Sequence, residues 1–342
     1  MRFRIDLDLG DLRERLLRTR WPDQANAQLQ EVVRYWADGF DWPAQQARLN
    51  RFEHHIEDVG GERIHFIHAK GGADAIPLLL VHGWPGSFVE FVDIIPMLQG
   101  PFELIVPSLP GYGFSSKATG MSNARIAELF LQLMSQLGHE RFAAQGGDWG
   151  AGVATWMALK APRRLTAIHL NYIPGSYAPP IDAPLTAEEG QFLKDKERWG
   201  DEHGAYGHVQ RTRPLTLAYG LNDSPAGLAA WILEKFREWA DPASNLSIDA
   251  LLTNITIYWA TETIHSSMRL YRESAATPLR NVRVPVPTAV AHFPLEAPFP
   301  PRSYIERGYD LRRFTEQPAG GHFAALEQPE SLAKDIREFW GV

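Results

Sequence analysis

Apolar positions recur with two different periods along this chain, and the changes between them divide it into blocks. In the first block, "DLRERLLRTRW" and "LQEVVRYWADGF" carry apolar residues every three or four positions, which predicts helices within residues 1–50. The next stretch, "EHHIEDVGGERIHFIHAKG", has two strand-like runs joined by Gly60 and Gly61. Paired glycines between such runs favour a β-hairpin.

Short apolar runs then alternate with helix-like stretches. The runs "IPLLLVHG", "FELIVPSLPG", "RFAAQGG" and "LTAIHLNY" have the composition of buried parallel strands. The first three are each followed by a segment that predicts a helix: "SFVEFVDIIPML", "SNARIAELFLQLMSQLG" and "GAGVATWMALKAP". This alternation indicates right-handed βαβ units and a parallel sheet with helices on both faces.

The alternation stops between about Pro174 and Pro278, where stretches such as "SPAGLAAWILEKFREWA" predict only helices. Proline-rich segments flank this block on both sides, as expected for the hinges of an inserted domain. Strand character returns with "VPTAVAHF" and "YDLRRFTEQ", and "PESLAKDIREFW" predicts a closing helix.

These blocks predict an α/β protein with a mostly parallel central sheet, helices on both faces and a helical cap inserted after the sixth core strand. We assign residues 1–50 to an N-terminal helical arm and 51–173 to the first part of the core. Residues 174–280 form the predicted cap, and 281–342 form the second part of the core.

Composition and charge exclude several classes of function. The chain has 34 basic and 41 acidic residues, a net charge of −7, whereas non-specific nucleic-acid binding needs a concentrated basic surface. It contains no cysteine, which excludes disulfides and thiolate chemistry. The first residues alternate charged and apolar side chains, unlike a signal peptide or a membrane anchor. We therefore expect a cytoplasmic protein without a nucleic-acid partner or a membrane anchor.

The motif "GGDWGAG" places a charged residue, Asp148, where the third parallel strand turns into a helix. Gly146 and Gly150 stand two positions to either side, the spacing of a nucleophile elbow with aspartate in place of serine. A carboxylate kept ionised at a helix N-terminus can attack carbon and form an ester. The alternative is a helix N-cap, the commoner role of an isolated aspartate at this position. A nucleotide loop is disfavoured, because "GAGVAT" lacks the third glycine of G-x-G-x-x-G.

Other segments supply the partners that a nucleophilic aspartate needs. "HGWPGS" follows the first parallel strand, so the main-chain N–H groups of Trp84 and Trp149 are the predicted oxyanion-hole donors. His322, in "AGGHFAALEQPE", follows the last strand and completes the order nucleophile, acid, histidine. Glu296 is the only acidic residue in "VPVPTAVAHFPLEAPFPP" and the best candidate for the acid, with Asp310 as the alternative.

Together these motifs resemble those of the microsomal-type epoxide hydrolases, the group that includes the juvenile hormone epoxide hydrolases and many bacterial proteins. The resemblance implies an α/β-hydrolase fold and a soluble, bacterial-like member without the family's membrane anchor. It extends over nearly the whole chain, in "TRWPD", "FDWPAQQARLNRFEHH", "HGWPGSFVEF", "PSLPGYGFSS", "GGDWGA", "QRTRPLTLAYGLNDSPAGLAAWILEKF", "LLTNITIYW" and "GGHFAALEQP".

The resemblance also implies a reaction and its residues. Asp148 would attack a carbon of a small-molecule epoxide while Tyr206, in "GAYGHVQRTRP", and Tyr271, in "MRLYRES", protonate the ring oxygen. His322, oriented by Glu296, would then activate a water that hydrolyses the ester to a vicinal diol. The scheme uses no cofactor and no metal ion.

Alternatives and further expectations accompany this hypothesis. A haloalkane dehalogenase would use the same aspartate without paired tyrosine acids, and a non-catalytic hydrolase-fold protein would only bind a ligand. Tyr219 and Tyr258 are the alternatives for the two tyrosines. The many aromatic residues near the motifs suggest hydrophobic epoxides as substrates, and a homodimer is the expected assembly.

Overall fold

The computed structural model describes all 342 residues and has one mixed, nine-stranded sheet at its centre. The strands are Arg2–Phe3 (β1), His54–Val59 (β2), Glu62–Ala69 (β3), Ile76–Val81 (β4), Phe102–Pro107 (β5), Phe142–Gly146 (β6), Leu165–Leu170 (β7), Val284–His292 (β8) and Tyr309–Glu316 (β9). Their order in the sheet is β1-β2-β3-β5-β4-β6-β7-β8-β9. The pairs from β5 to β9 are parallel, and β1, β2, β3 and β5 pair antiparallel. The predicted mostly parallel sheet and the hairpin of β2 and β3 are thus confirmed.

Fifteen α-helices surround the sheet or form the cap. They are Leu12–Leu17 (α1), Ala27–Asp38 (α2), Trp42–Leu49 (α3), Ile95–Leu98 (α4), Asn123–Gln136 (α5), Asp148–Lys160 (α6), Ala187–His203 (α7), Ala205–Thr212 (α8), Pro214–Asp223 (α9), Pro225–Trp239 (α10), Ile248–Thr261 (α11), Ile264–Ser274 (α12), Arg302–Glu306 (α13), Ala324–Glu327 (α14) and Pro329–Trp340 (α15). None of them combines the length and the apolar character that a bilayer span requires. Helices α7 to α12 lie between β7 and β8, after the sixth strand counted from β2.

The apolar run of β4 shows why the sheet is buried on both faces. Leu79 and Val81 belong to one hydrophobic core, and Leu78 and Leu80 belong to the other. Successive side chains of a strand point to opposite faces, so an uninterrupted apolar run indicates a strand covered on both sides. All four side chains are fully buried.

The N-terminal arm connects the edge of the sheet with the cap. It contains the predicted helices and also β1, which the sequence pattern did not predict and which pairs with β2. Trp36 donates its indole N–H to Thr256 Oγ1 of α11 over 3.0 Å, and Tyr35 donates its hydroxyl to Asp249 of the same helix over 2.7 Å. The arm therefore supports α11 directly.

The segment "SFVEFVDIIPML" differs from the single helix that its apolar spacing predicts. It forms a 3₁₀ turn over Phe88–Phe91, followed by the short helix α4. Pro96 lies in the first turn of α4, because proline lacks the N–H that an interior helical position needs. The break places Glu90 on the 3₁₀ turn, next to the loop that follows β4.

Candidate active site

Asp148 lies where β6 turns into α6, and its backbone adopts the left-handed conformation with φ of 45°. That conformation costs a non-glycine residue about 1–3 kcal/mol, so the surroundings must hold it. A Cβ at Gly146 would lie 2.4 Å from the main chain of Gly150, and a Cβ at Gly150 would lie 1.9 Å from the carbonyl oxygen of Val81. Both glycines are therefore required by the close packing of α6 against β6 and β4.

The Asp148 carboxylate does not cap the helix. The N-cap of α6 is Gly147, with no side-chain capping bond. Asp148 Oδ1 instead accepts a hydrogen bond of 2.7 Å from the backbone N–H of Trp84 in the loop after β4. A Cβ at Gly83 would lie 2.3 Å from that of Asp148, so this approach needs glycine. The Trp149 N–H, the second predicted oxyanion donor, makes no hydrogen bond to this carboxylate.

The loops after β8 and β9 bring Glu296 and His322 to the same carboxylate. His322 Nδ1 lies 2.8 Å from Glu296 Oε2, and His322 Nε2 lies 3.6 Å from Asp148 Oδ2. Glu296 is 5% exposed, so its contact with the histidine is shielded from water. Asp310, the alternative acid, lies within β9 and contacts Arg312 instead.

The environment of His322 favours its protonated form. Burial, the largest contribution, lowers the pKa of His322, but the carboxylates of Glu296 and Asp148 together raise it well above its usual value. In this state the imidazolium forms an ion pair with the negatively charged Asp148. The ring also packs edge-on against Tyr172 and Trp239, which limits its rotation.

Tyr206 of α8 and Tyr271 of α12 face the same cavity from the cap. Their ring centroids lie 5.9 Å apart, nearly at right angles. Trp84 stacks on Tyr206 at 5.6 Å, and Trp149 meets Tyr271 edge-on at 4.7 Å. Burial is the main cause that raises the pKa of both phenols, and the negative Asp148 adds to it.

The alternative tyrosines lie elsewhere. Tyr219 is 72% exposed on α9. Tyr258 of α11 is buried and donates its hydroxyl to the Gly86 carbonyl over 2.8 Å, while Asn254 of the same helix donates to the Pro85 carbonyl over 2.8 Å. These two residues hold the loop after β4. Sequence reasoning missed that role, although both lie in the quoted motif "LLTNITIYW".

A cavity of about 550 Å³ joins the cap to the core above Asp148. This volume lies in the range typical of small-molecule sites. Its lining includes the catalytic candidates. Most of the other lining residues are aromatic or apolar, among them Trp149 of α6 and Tyr172, Ile173, Phe192, Trp199 and Trp239. No group of three or more His, Asp or Glu side chains has the arrangement of a metal site.

Comparison with known proteins gives concordant matches. The family model described as "Epoxide hydrolase N terminus" matches residues 3–91, and the one described as "alpha/beta hydrolase fold" matches residues 76–296. "Epoxide hydrolase 1" of Sus scrofa is 38% identical, over 92% of this chain and 80% of its own length.

Two solved structures are similar over almost the whole fold. The juvenile hormone epoxide hydrolase of the silkworm Bombyx mori is 32% identical with a TM-score of 0.90, covering 99% of this chain and 93% of that one. The Aspergillus niger epoxide hydrolase is 31% identical with a TM-score of 0.90, covering 99% of this chain and 95% of that one.

Proposed function

The chain belongs to the epoxide hydrolase family and converts epoxides and water to vicinal diols; we propose that Asp148, His322, Glu296, Tyr206 and Tyr271 carry out this reaction. The observation that supports the assignment is the cavity itself. A strained corner carboxylate and a largely buried histidine–glutamate pair line it together with two partly buried phenols. This is the set of groups that opening an epoxide through an ester requires.

The first half-reaction joins the substrate to Asp148. A carboxylate oxygen attacks a ring carbon, the carbon–oxygen bond of the ring breaks, and a phenolic proton of Tyr206 or Tyr271 passes to the ring oxygen. An acid is needed because the leaving alkoxide is strongly basic. The raised pKa of both phenols keeps them protonated until that moment. The products are a hydroxyalkyl ester and a tyrosinate.

Ester formation then changes His322 from an acid to a base. The Asp148 carboxylate is one of the two charges that raise the pKa of His322, and esterification removes that charge. The imidazolium becomes a stronger acid and returns a proton to the tyrosinate, directly or through water. Neutral His322 therefore arises only when an ester is present to be hydrolysed.

The second half-reaction releases the diol. His322 Nε2 takes a proton from a water whose oxygen attacks the carbonyl carbon of the ester, a role typically worth ~10²–10⁴-fold in rate. The Trp84 N–H, which already contacts Asp148 Oδ1, stabilises the oxyanion, as does the Trp149 N–H once the ester has formed. Each such donor is typically worth ~3 kcal/mol. Collapse of the intermediate breaks the bond to the diol oxygen, which receives the proton from His322. The Asp148 carboxylic acid then returns its proton to His322, which restores the ion pair.

The lining of the cavity supports hydrophobic epoxides as substrates. Its aromatic side chains and its volume of about 550 Å³ suit aryl or alkyl epoxides of modest size. The test is diol formation from styrene oxide. Asp148→Asn should remove this activity, and Asp310→Asn, at the alternative carboxylate on β9, should retain it. Equal activity of the Asp148 variant and the wild type would contradict the assignment.

A haloalkane dehalogenase reaction is the second candidate, and one observation favours it. The indole N–H groups of Trp84 and Trp149 are buried without a hydrogen-bond partner, and such groups can bind a halide. The paired phenols, which halide departure does not need, favour the epoxide instead. Release of chloride from 1-chlorobutane at a rate comparable to diol formation would support the dehalogenase.

The cytoplasmic location and the homodimer expected from the sequence remain predictions. Sedimentation of the purified protein at micromolar concentration tests the assembly.

A further inference from the structure

A second, much smaller cavity shares Asp148 and His322 with the substrate cavity. Its volume of about 20 Å³ is enough for a single water molecule. The remaining lining comes mainly from the end of β4 and the loop after it, the 3₁₀ turn that follows, Asn171 and the residues around the start of α14. None of the cap tyrosines reaches this cavity.

Glu90 brings a second carboxyl group to the small cavity. It lies on the 3₁₀ turn and lines this cavity but not the substrate cavity. Glu90 is half-buried, and its carboxyl makes no ion pair and no hydrogen bond with another protein group. A carboxyl in this position, facing a water-sized space, has water as its available partner.

The loop after β4 is shaped around this carboxyl. A Cβ at Gly86 would lie 1.4 Å from Glu90 Oε1. Gly86 does not have a positive φ, so alanine would suit its backbone, but its Cβ would have to displace the Glu90 carboxyl. The loop itself is fixed from the cap by Tyr258, whose hydroxyl bonds to the Gly86 carbonyl.

The surroundings of Glu90 favour its neutral form. Withdrawal from solvent, with a smaller contribution from the negative Asp148, raises the pKa of Glu90 to about 8, although the positive charge of His322 opposes this. At neutral pH the group is then mainly a carboxylic acid, with one oxygen that donates a hydrogen bond and one that accepts. Such a group can hold a water without adding negative charge beside Asp148.

We propose that Glu90 is a positioning residue for the second half-reaction and holds, in the small cavity, the water that attacks the Asp148 ester. The proposal rests on the ester route given above. The carbonyl oxygen of Glu90 accepts one hydrogen of this water, and the other hydrogen points to His322 Nε2. The water oxygen bonds to the carbonyl carbon, its proton passes to His322, and the diol oxygen leaves with that proton. Glu90 is unchanged at the end of the cycle.

Two variants test the role of Glu90 from different directions. Glu90→Met keeps roughly the length of the side chain but removes the oxygen that would accept the hydrogen of the water. Gly86→Ala leaves Glu90 in the chain and displaces its carboxyl. We expect each variant to slow the decay of the ester about 10- to 100-fold, because a misplaced reactant typically reduces a rate by about this factor. The rate of ester formation should stay within about twofold of the wild type. In the steady state kcat and KM should then fall together, with kcat/KM nearly unchanged.

The measurement is rapid-quench mass analysis of the Asp148 peptide in a single turnover of styrene oxide. Glu189→Gln is the matched control, because Glu189 is also buried but lies in the cap and pairs with Arg307. This control variant should lower the free energy of unfolding without changing the ratio of the rates of ester formation and ester decay. Absence of an ester in the wild type would refute the ester route itself. Two other results would overturn only the role of Glu90. In one, the ester of both variants decays at the wild-type rate. In the other, the variants slow the formation of the ester and not its decay.

Discussion

His322 Nε2 lies 3.6 Å from Asp148 Oδ2, close enough for an ion pair but too far for a strong hydrogen bond. The other ring nitrogen is fixed by Glu296 at 2.8 Å. The histidine is thus oriented towards the carboxyl group without being bound tightly to it. This spacing suits a base that acts on a water beside the carboxyl carbon, in the second half of the reaction only.

Removal of this base should trap the ester. For His322→Gln we expect kcat to fall about 10²–10⁴-fold, while the Asp148 peptide gains the mass of the epoxide in the first turnover. The measurement is mass analysis of the quenched protein. His203→Gln, at a partly exposed histidine in the cap, is the control and should turn over normally. An inactive His322 variant that gains no mass would contradict the two-step scheme.

Loss of either phenol should slow the first half-reaction. For Tyr206→Phe and Tyr271→Phe we expect ester formation to fall about 10- to 100-fold each, or roughly 1.4–2.8 kcal/mol, because one acid remains. In the double variant, the rate of ester formation should fall considerably further than in either single variant. Stopped-flow tryptophan fluorescence follows the step, since Trp84 and Trp149 touch the two rings.

The control for the phenols is Tyr219→Phe, at an exposed position of α9. It should leave both half-reactions unchanged. If the two cap variants slowed only ester decay, the tyrosines would not be the acids for ring opening.

Gly150, two residues after Asp148, should not tolerate any side chain. A Cβ at Gly150 would lie 1.9 Å from the Val81 carbonyl oxygen, so Gly150→Ala must displace α6 from the sheet, with a strong loss of stability and of activity. Gly190→Ala is the matched control, since nothing lies within 4 Å of a Cβ there. Alanine in that helix should stabilise the protein by about 0.5–1 kcal/mol. Thermal unfolding compares the two, and equal melting temperatures would refute the packing argument.

A buried ion pair between Glu189 of the cap and Arg307 of the core should make stability depend on acid pH. The Arg307 guanidinium bonds to both oxygens of Glu189 and lowers the pKa of that carboxyl from 4.5 to about 2. The stabilisation is therefore fully present above pH 4.5 and is lost as the pH falls towards 2. At pH 7 we expect Glu189→Gln to cost about 3 kcal/mol.

Urea unfolding of the wild type and the Glu189 variant over a pH series checks this dependence. The difference in unfolding free energy between the two should shrink steadily below pH 4.5. A difference that stays constant down to pH 3 would mean that the charge of Glu189 does not stabilise the cap.

The sequence was most informative where chain order and local spacing decide the structure. The alternation of apolar runs and helices predicts the parallel sheet, and the carboxyl ends of its strands bring Asp148, Glu296 and His322 to one place. The spacing of Gly146 and Gly150 around the aspartate reflects a steric requirement that the structure makes explicit. Their catalytic roles are a proposal that the chemistry must test.

Features that depend on packing between distant segments could not be predicted from patterns. Tyr206 and Tyr271 were singled out by family resemblance alone, because the residue spacing of a cap helix does not predict which of its side chains faces the core. β1 was missed because two residues are too few to show a period. Glu90 gave no signal, since its significance lies in a cavity whose lining comes from segments far apart in the chain.

The most direct test of the ester mechanism is a single turnover of styrene oxide in ¹⁸O-labelled water, with enzyme in excess and the Asp148 peptide analysed by mass. We expect one heavy oxygen in the Asp148 carboxyl and an unlabelled diol, because water attacks the ester carbonyl carbon and not the epoxide. Heavy oxygen in the diol and none in the peptide would show direct attack by water, and Asp148 would not be the nucleophile.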